Sequence, residues 1–155
     1  MDRTLTIAKR ELTSLFYSPV AYVVLALFAL GTGLIFLGLE FAPGEEATLR
    51  TTLNYVVGFL VFLVPAISMR LLSEEYRAGS IETLMTSPVS DGQVVVGKWL
   101  GAMGFYLALL CPMLVFTGLL EVFGRPDYGP IAAGFLGLLL VGGLYLAIGA
   151  FASSV

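Results

Sequence analysis

Residues 70–98 read RLLSEEYRAGSIETLMTSPVSDGQVVVGK and carry seven of the nineteen formally charged residues in a chain of 155. Apolar runs lie on both sides, about Thr52 to Met69 before the stretch and Trp99 to Leu120 after it. Two more runs, Ser18 to Leu39 and Gly129 to about Ser153, also reach the ~17–25 mostly apolar residues that a bilayer's hydrocarbon thickness demands. None of the four contains Asp, Glu, Lys or Arg. The stretch is therefore the polar connection between two membrane spans.

Composition agrees, with 58% apolar and 12% charged residues, against roughly 45–50% and about 25% in an ordinary soluble domain. The expected fold is all-α, a polytopic transmembrane helix bundle forming a single domain over residues 1–155. Its spans fall at about 18–39, 52–69, 99–120 and 129–153, with the hairpin 70–98 between the middle two. The last run closes on YLAIGAFASSV without a polar tail or basic anchor, so the domain is expected to be incomplete and truncated at the C-terminus.

Several classes of function lose support. One cysteine permits no intrachain disulfide, and without histidine the commonest metal ligand and general base is missing. No catalytic, cofactor-binding or metal-binding residues are assigned. A net charge of -3 and a pI near 4.8 argue against nucleic acid, whose binding needs a basic surface. The run from Pro19 to Leu39 exceeds the ~7–15 residue core of a signal peptide, and Glu40 and Phe41 stand where small residues would be cleaved. It is expected to stay as the first span.

Lys and Arg are retained on the cytoplasmic side. Arg3, Lys9 and Arg10 precede the first span, and Arg70, Arg77 and Lys98 lie in the hairpin, whereas the other connections hold only Arg50 and Arg125. The N-terminus and the hairpin are thus expected in the cytoplasm of a cell-membrane protein. Leu5, Ala8, Leu12, Leu15 and Phe16 follow helical spacing, with Thr6, Arg10 and Ser14 opposite and Lys9 flanking. That pattern describes an amphipathic helix at the cytoplasmic interface, ended where Pro19 turns the chain into the bilayer.

Pro65 and Pro112 lie inside spans, where proline usually kinks a helix. Small residues recur at packing spacing in the pairs Gly97/Gly101, Gly104/Ala108, Gly143/Ala147 and Gly149/Ser153. Such pairs let backbones approach closely in lipid, and packing inside the bundle suffices to explain them.

The hairpin parses into three helical pieces. Arg70 with Glu74 and Glu74 with Arg77 support a helix that continues past the membrane, and Gly79 suits the residue that ends it. Ser80 can cap a short helix on which Ile81, Leu84 and Met85 share an apolar face, and Pro88 stops it. Ser90 and Gln93 then have capping-box spacing, and Asp91 favours a helix N-terminus. Lys98, about two turns in, is placed to snorkel to the headgroups. The apolar face has two explanations from pattern alone: it enters a partner's groove, or it packs back on its own membrane domain.

SEEYRAGSIETLMTSPVS resembles the segment between the second and third spans of ABC-2 type transporter permeases. There an acidic-basic stretch precedes G-[ST]-x-E-x-L, a small polar pair and proline. The match runs through Glu74, Glu75, Arg77, Gly79, Ser80, Glu82, Leu84, Ser87 and Pro88, with Met85 in place of a common leucine. KRELTSLFYSPVAYVV is similar to the N-terminal entry of the family's gliding-motility-like and copper-maturation-like branches. The resemblance implies an elbow helix containing Leu5, Ala8, Lys9, Arg10, Glu11, Leu12 and Phe16. It also implies a coupling helix from Ile81 to Ser87, bounded by Gly79, Ser80 and Pro88 and supported by Glu74, Glu75, Arg77, Ser90 and Gln93.

By the same resemblance the coupling helix docks on a separate ABC ATPase subunit, which would bind ATP and Mg while this chain binds no cofactor. A second permease copy or paralogue would complete a dimer in the lipid bilayer, working as an exporter. Two facts of the sequence agree: it has no G-x-x-x-x-G-K-[ST] phosphate loop, so any ATPase acts in trans, and no Asp, Glu, His, Lys or Arg lies inside the four runs. An anchor subunit that recruits an ATPase or motility complex without moving solute would share these motifs. An intramembrane enzyme would have to use Cys111, Thr117, Asn54 or the terminal serines without a histidine or carboxylate partner, and Cys111 beside Pro112 reads as a small packing residue.

Overall fold

The computed structural model describes residues 3–40, 48–78 and 91–154. They form α1 (Arg3–Tyr17), α2 (Pro19–Ile35), a wider π-helical segment (Phe36–Glu40), α3 (Arg50–Ala78), α4 (Asp91–Phe123) and α5 (Tyr128–Ser154). No strand occurs among the described residues. The fold is an all-α bundle.

Breaks between helices fall where the chain cannot continue one. Ser18 is extended, with φ -80° and ψ 126°, and Pro19 follows at the first turn of α2; the residue before a proline is driven out of the helical region, while proline suits a helix start. α3 ends at Ala78, one residue before Gly79. α4 begins at Asp91, directly after Ser90. Both helices run through their internal prolines, Pro65 and Pro112.

Pro19–Glu40, Gly92–Phe123 and Tyr128–Ala152 are each long and apolar enough to cross a membrane, while the apolar part of α3 among the described residues, Arg50–Pro65, is shorter. Large apolar side chains cover their outward surfaces: Leu27, Leu30 and Leu34 on α2, and Leu136, Leu140 and Leu144 on α5, are each more than half exposed. Such faces match the hydrocarbon of a bilayer.

The core holds Phe28, Val56, Leu60, Val64, Phe105, Tyr106, Leu109, Met113, Leu138 and Leu146. Its most extensive pairings are α3 with α5 and α1 with α4. The α4–α5 contact is antiparallel. Tyr106 Oη donates to the Leu138 carbonyl at 2.7 Å, and Trp99 Nε1 donates to the Gly143 carbonyl at 3.1 Å. Only glycine fits at position 142, where a Cβ would run into the Tyr106 ring. A second small core of Phe36, Leu49, Leu120 and Ile131 closes the end of the bundle nearest the Glu40 and Phe123 helix ends.

The two ends of the bundle differ. Ala78, Asp91 and α1 gather at one, and the helix ends at Glu40 and Phe123 lie at the other. With 29 and 33 residues, α3 and α4 extend about 44 and 50 Å at 1.5 Å per residue. The hydrocarbon core is ~30 Å thick. Both helices are therefore long enough to project from it.

Candidate functional site

α1 lies against the first turns of α4 and advances along it in the same chain direction. A Cβ on Gly97 would stand 2.8 Å from the Ile7 side chain and 3.1 Å from the Thr4 carbonyl oxygen. One on Gly101 would stand 2.7 Å from Glu11 Cβ and 2.9 Å from the Ala8 carbonyl oxygen, and one on Gly104 would meet Leu12 at 3.1 Å. A glycine seam thus brings two helix backbones together where side chains would hold them apart. The packing of Gly97, Gly101 and Gly104 is internal to the bundle.

The stripe of α1 that meets α4 is Thr4, Ile7, Ala8, Glu11, Leu12, Leu15 and Phe16, the last at 5.4 Å between ring centroids from Phe105 in an edge-to-face contact. Ala8, Leu12, Leu15 and Phe16 thus fall on the expected face. Leu5 does not, being 61% exposed. The helical turn carries its side chain past the seam, and Ile7 takes that place. Lys9 and Arg10 are exposed on the far side.

Glu11 and Lys98 were not expected to meet. Lys98 Nζ lies 3.6 Å from Glu11 Oε2, with the side chains 5% and 17% exposed respectively. Lys98 therefore does not snorkel to the headgroups. Seating α1 on the glycine seam covers it, and the Glu11 carboxylate offsets the cost of burying its ammonium.

Glu74, Glu75 and Arg77 sit on the last turns of α3, and Gln93 is exposed in the first turn of α4. Gly79, Ser80, Ile81, Glu82, Leu84, Met85, Ser87, Pro88 and Ser90 lie outside the described residues. Their flanking helices nevertheless deliver the chain to and from residues 79–90 at the end of the bundle that α1 also occupies.

At the opposite end, Glu40 is buried, with 5% of its surface exposed. Its carboxylate accepts the Thr51 and Thr52 backbone N–H groups, at 2.6 and 2.9 Å, and the Thr52 hydroxyl. The Arg50 N–H is met by Thr48 Oγ1 at 3.2 Å. A distant carboxylate therefore satisfies the orphan donors of α3's first turn, where the helix dipole favours negative charge. The only hint in the sequence is an acid at the very end of an apolar run.

Among the described residues Cys111, Thr117 and Asn54 do not form a catalytic group. Cys111 is exposed and not a packing residue, its thiol reaching only the Leu107 carbonyl at 3.7 Å. The Thr117 hydroxyl donates to the Met113 carbonyl at 2.9 Å, and Asn54 is exposed on α3. Among the described residues no group of three Cys, Asp or Glu side chains could hold a metal ion.

A family described as ABC-2 family transporter protein matches residues 39–155. The match spans the π-helical turn's end, α3, the 79–90 segment, α4 and α5. The chain belongs to the ABC-2 transporter family. It is accordingly a membrane protein and a permease component of an ABC transporter, a class that works with an ATP-binding subunit. Residues 1–38, with α1 and all of α2, lie outside the matched range, so the match does not bear on the branch that KRELTSLFYSPVAYVV resembles. No curated protein matches the chain.

Proposed function

We propose that this chain is the permease subunit of an ATP-driven exporter, coupled to a separate ATPase subunit through residues 79–88. The observation that carries this reading is the pair α3 and α4, each longer than a bilayer requires, which bracket those residues at one end of a bundle belonging to the ABC-2 family. A helix is stiff along its axis, so force applied at residues 79–88 would reach the spans without passing through a flexible linker.

In this reading Ile81, Leu84 and Met85 enter a groove on the ATPase subunit, and Glu82 lies beside them. Glu74, Glu75 and Arg77 hold the end of α3, and Ser90 with Gln93 caps α4. α1 is the elbow helix, locked to α4 by the glycine seam and the Glu11–Lys98 pair. Movement of the projection would therefore carry the elbow with it. ATP and Mg belong to the partner, four spans cross the cell membrane with the N-terminus in the cytoplasm, and a second permease copy or paralogue completes the transporter.

The test is co-purification and ATPase activity of the complex carrying Ile81→Asp and Leu84→Asp together. Two carboxylates in an apolar groove leave charges without partners, so association is expected to fall at least about tenfold while membrane insertion is retained. Unchanged association and unchanged ATPase stimulation would falsify the docking assignment.

A further inference from the structure

We propose that the end of the bundle opposite residues 79–90 binds a phosphate-class anion between Arg50 and Arg125, over an apolar wall formed by Leu53 and Ile131. The four side chains line one cavity of about 720 Å³, together with Asn54 and Asp127. It lies between the first turns of α3 and α5 and the connection that follows α4.

Two observations favour an anion there. Arg50 and Arg125 are the two basic residues of the connections at this end, and both face the same cavity. Among the described residues neither guanidinium has a carboxylate within ion-pair distance. Three acids at this end are among the described residues, and each has a partner: Glu121 bonds the Tyr128 side chain, and the other two meet backbone donors. Glu40 is buried against Thr51 and Thr52, and Asp127 Oδ1 accepts the Gly129 N–H at 3.1 Å. Among the described lining residues Asp127 is the one acid, against the two guanidinium groups.

Chemistry narrows the class of anion. A guanidinium presents a planar fork that one carboxylate fills with its two coplanar oxygens, whereas the non-bridging oxygens of a phosphoryl group splay tetrahedrally and can be shared between two forks. The volume is also far greater than an inorganic ion needs. Leu53, Ile131 and Pro130 offer apolar surface to the carbon part of a larger molecule, and the Asn54 amide offers both a donor and an acceptor. A phosphoester with an organic body fits this arrangement, whether a phospholipid headgroup or a soluble glycerol phosphate. Nothing here depends on the transport reading, since the residues lie at the far end from the proposed docking segment.

The full-length protein, purified in detergent, would be melted with added phosphatidylglycerol, phosphatidylcholine, glycerol phosphate or inorganic phosphate. Phosphatidylglycerol is expected to raise the melting temperature more than phosphatidylcholine does. In an Arg50→Gln, Arg125→Gln variant the half-saturating concentration should rise at least about tenfold, the loss expected of a charge-assisted hydrogen bond. Stabilisation by glycerol phosphate equal to that by phosphatidylglycerol supports the site with a soluble occupant, and a response to phosphatidylglycerol alone supports it with a lipid. Equal responses to both lipids, or an unaltered response in the double variant, overturn the proposal. Should that variant fail to fold, Arg50→Lys with Arg125→Lys keeps the charge and loses the fork, and binding as tight as wild type there also overturns it. Association with the ATPase subunit is expected to be unaffected, which separates failure of this site from failure of the docking assignment.

Discussion

The glycine seam predicts the sign of an alanine scan along α4. Gly→Ala within a helix gains roughly 0.5–1 kcal/mol because glycine loses more backbone freedom on folding. At Gly101 the new methyl would stand 2.7 Å from Glu11 Cβ and 2.9 Å from the Ala8 carbonyl oxygen, where relaxed carbon contacts lie at about 3.5–4.0 Å. Backbone cannot rotate aside, so α1 must lift by most of an ångström. Overpacking of that kind costs ~1–3 kcal/mol and outweighs the gain, leaving Gly101→Ala about 1–2 kcal/mol less stable. For a chain of this length that is a fall of roughly 3–6 °C in melting temperature. Gly97→Ala should behave alike, with Ile7 at 2.8 Å, whereas Gly104→Ala should be milder because it meets the flexible end of Leu12 at 3.1 Å. Gly118 is the control: nothing lies within 4 Å of its Cβ position, so Gly118→Ala should melt at or slightly above wild type. The assay is thermal unfolding of the purified protein followed by size exclusion. A Gly101→Ala protein as stable as Gly118→Ala would show that α1 does not rest on α4.

The Glu11–Lys98 pair should respond asymmetrically. Glu11→Gln takes the carboxylate from a nearly buried ammonium and should cost about 2–4 kcal/mol, more than Lys98→Met, which leaves the better-exposed partner charged. The double variant should recover part of the loss, and strictly additive melting shifts would refute the coupling. At the other end, Glu40→Ala should cost about 1–3 kcal/mol through the lost cap, and amide exchange at Thr51 and Thr52 should quicken well before exchange deeper in α3. Glu40→Gln should be milder, since its amide oxygen can still accept, and unchanged exchange at both threonines would refute the cap.

Much of this architecture could be read from local pattern. The apolar runs, the break at Ser18 and Pro19, the end of α3 before Gly79 and the start of α4 after Ser90 all follow from backbone chemistry within a few residues. So did most of the buried side of α1, though the stripe reached Leu5 only on paper. What escaped was pairing across the chain. Nothing within a turn of Lys98 tells whether its ammonium reaches water or a carboxylate on α1, and nothing near Glu40 points to Thr51 and Thr52. Cys111 beside Pro112 reads locally as a packing residue, yet its helix face is exposed. The family match and the docking motif rest on sequence, and the motif's own side chains, Ile81 to Ser87, fall outside the described residues.

By itself, then, the sequence determined that this protein is a bundle of apolar helices with a polar connection between two of them, because hydrophobic run length and helix-stopping residues are local properties. Only the tertiary structure decided that three glycines of α4 carry the N-terminal helix, that Glu11 and Lys98 face each other, that Glu40 caps α3, and that Arg50 and Arg125 share a cavity. Those outcomes depend on which helix faces come into register. In lipid that choice is made by close packing and by the cost of leaving a buried charge or a helix end without a partner.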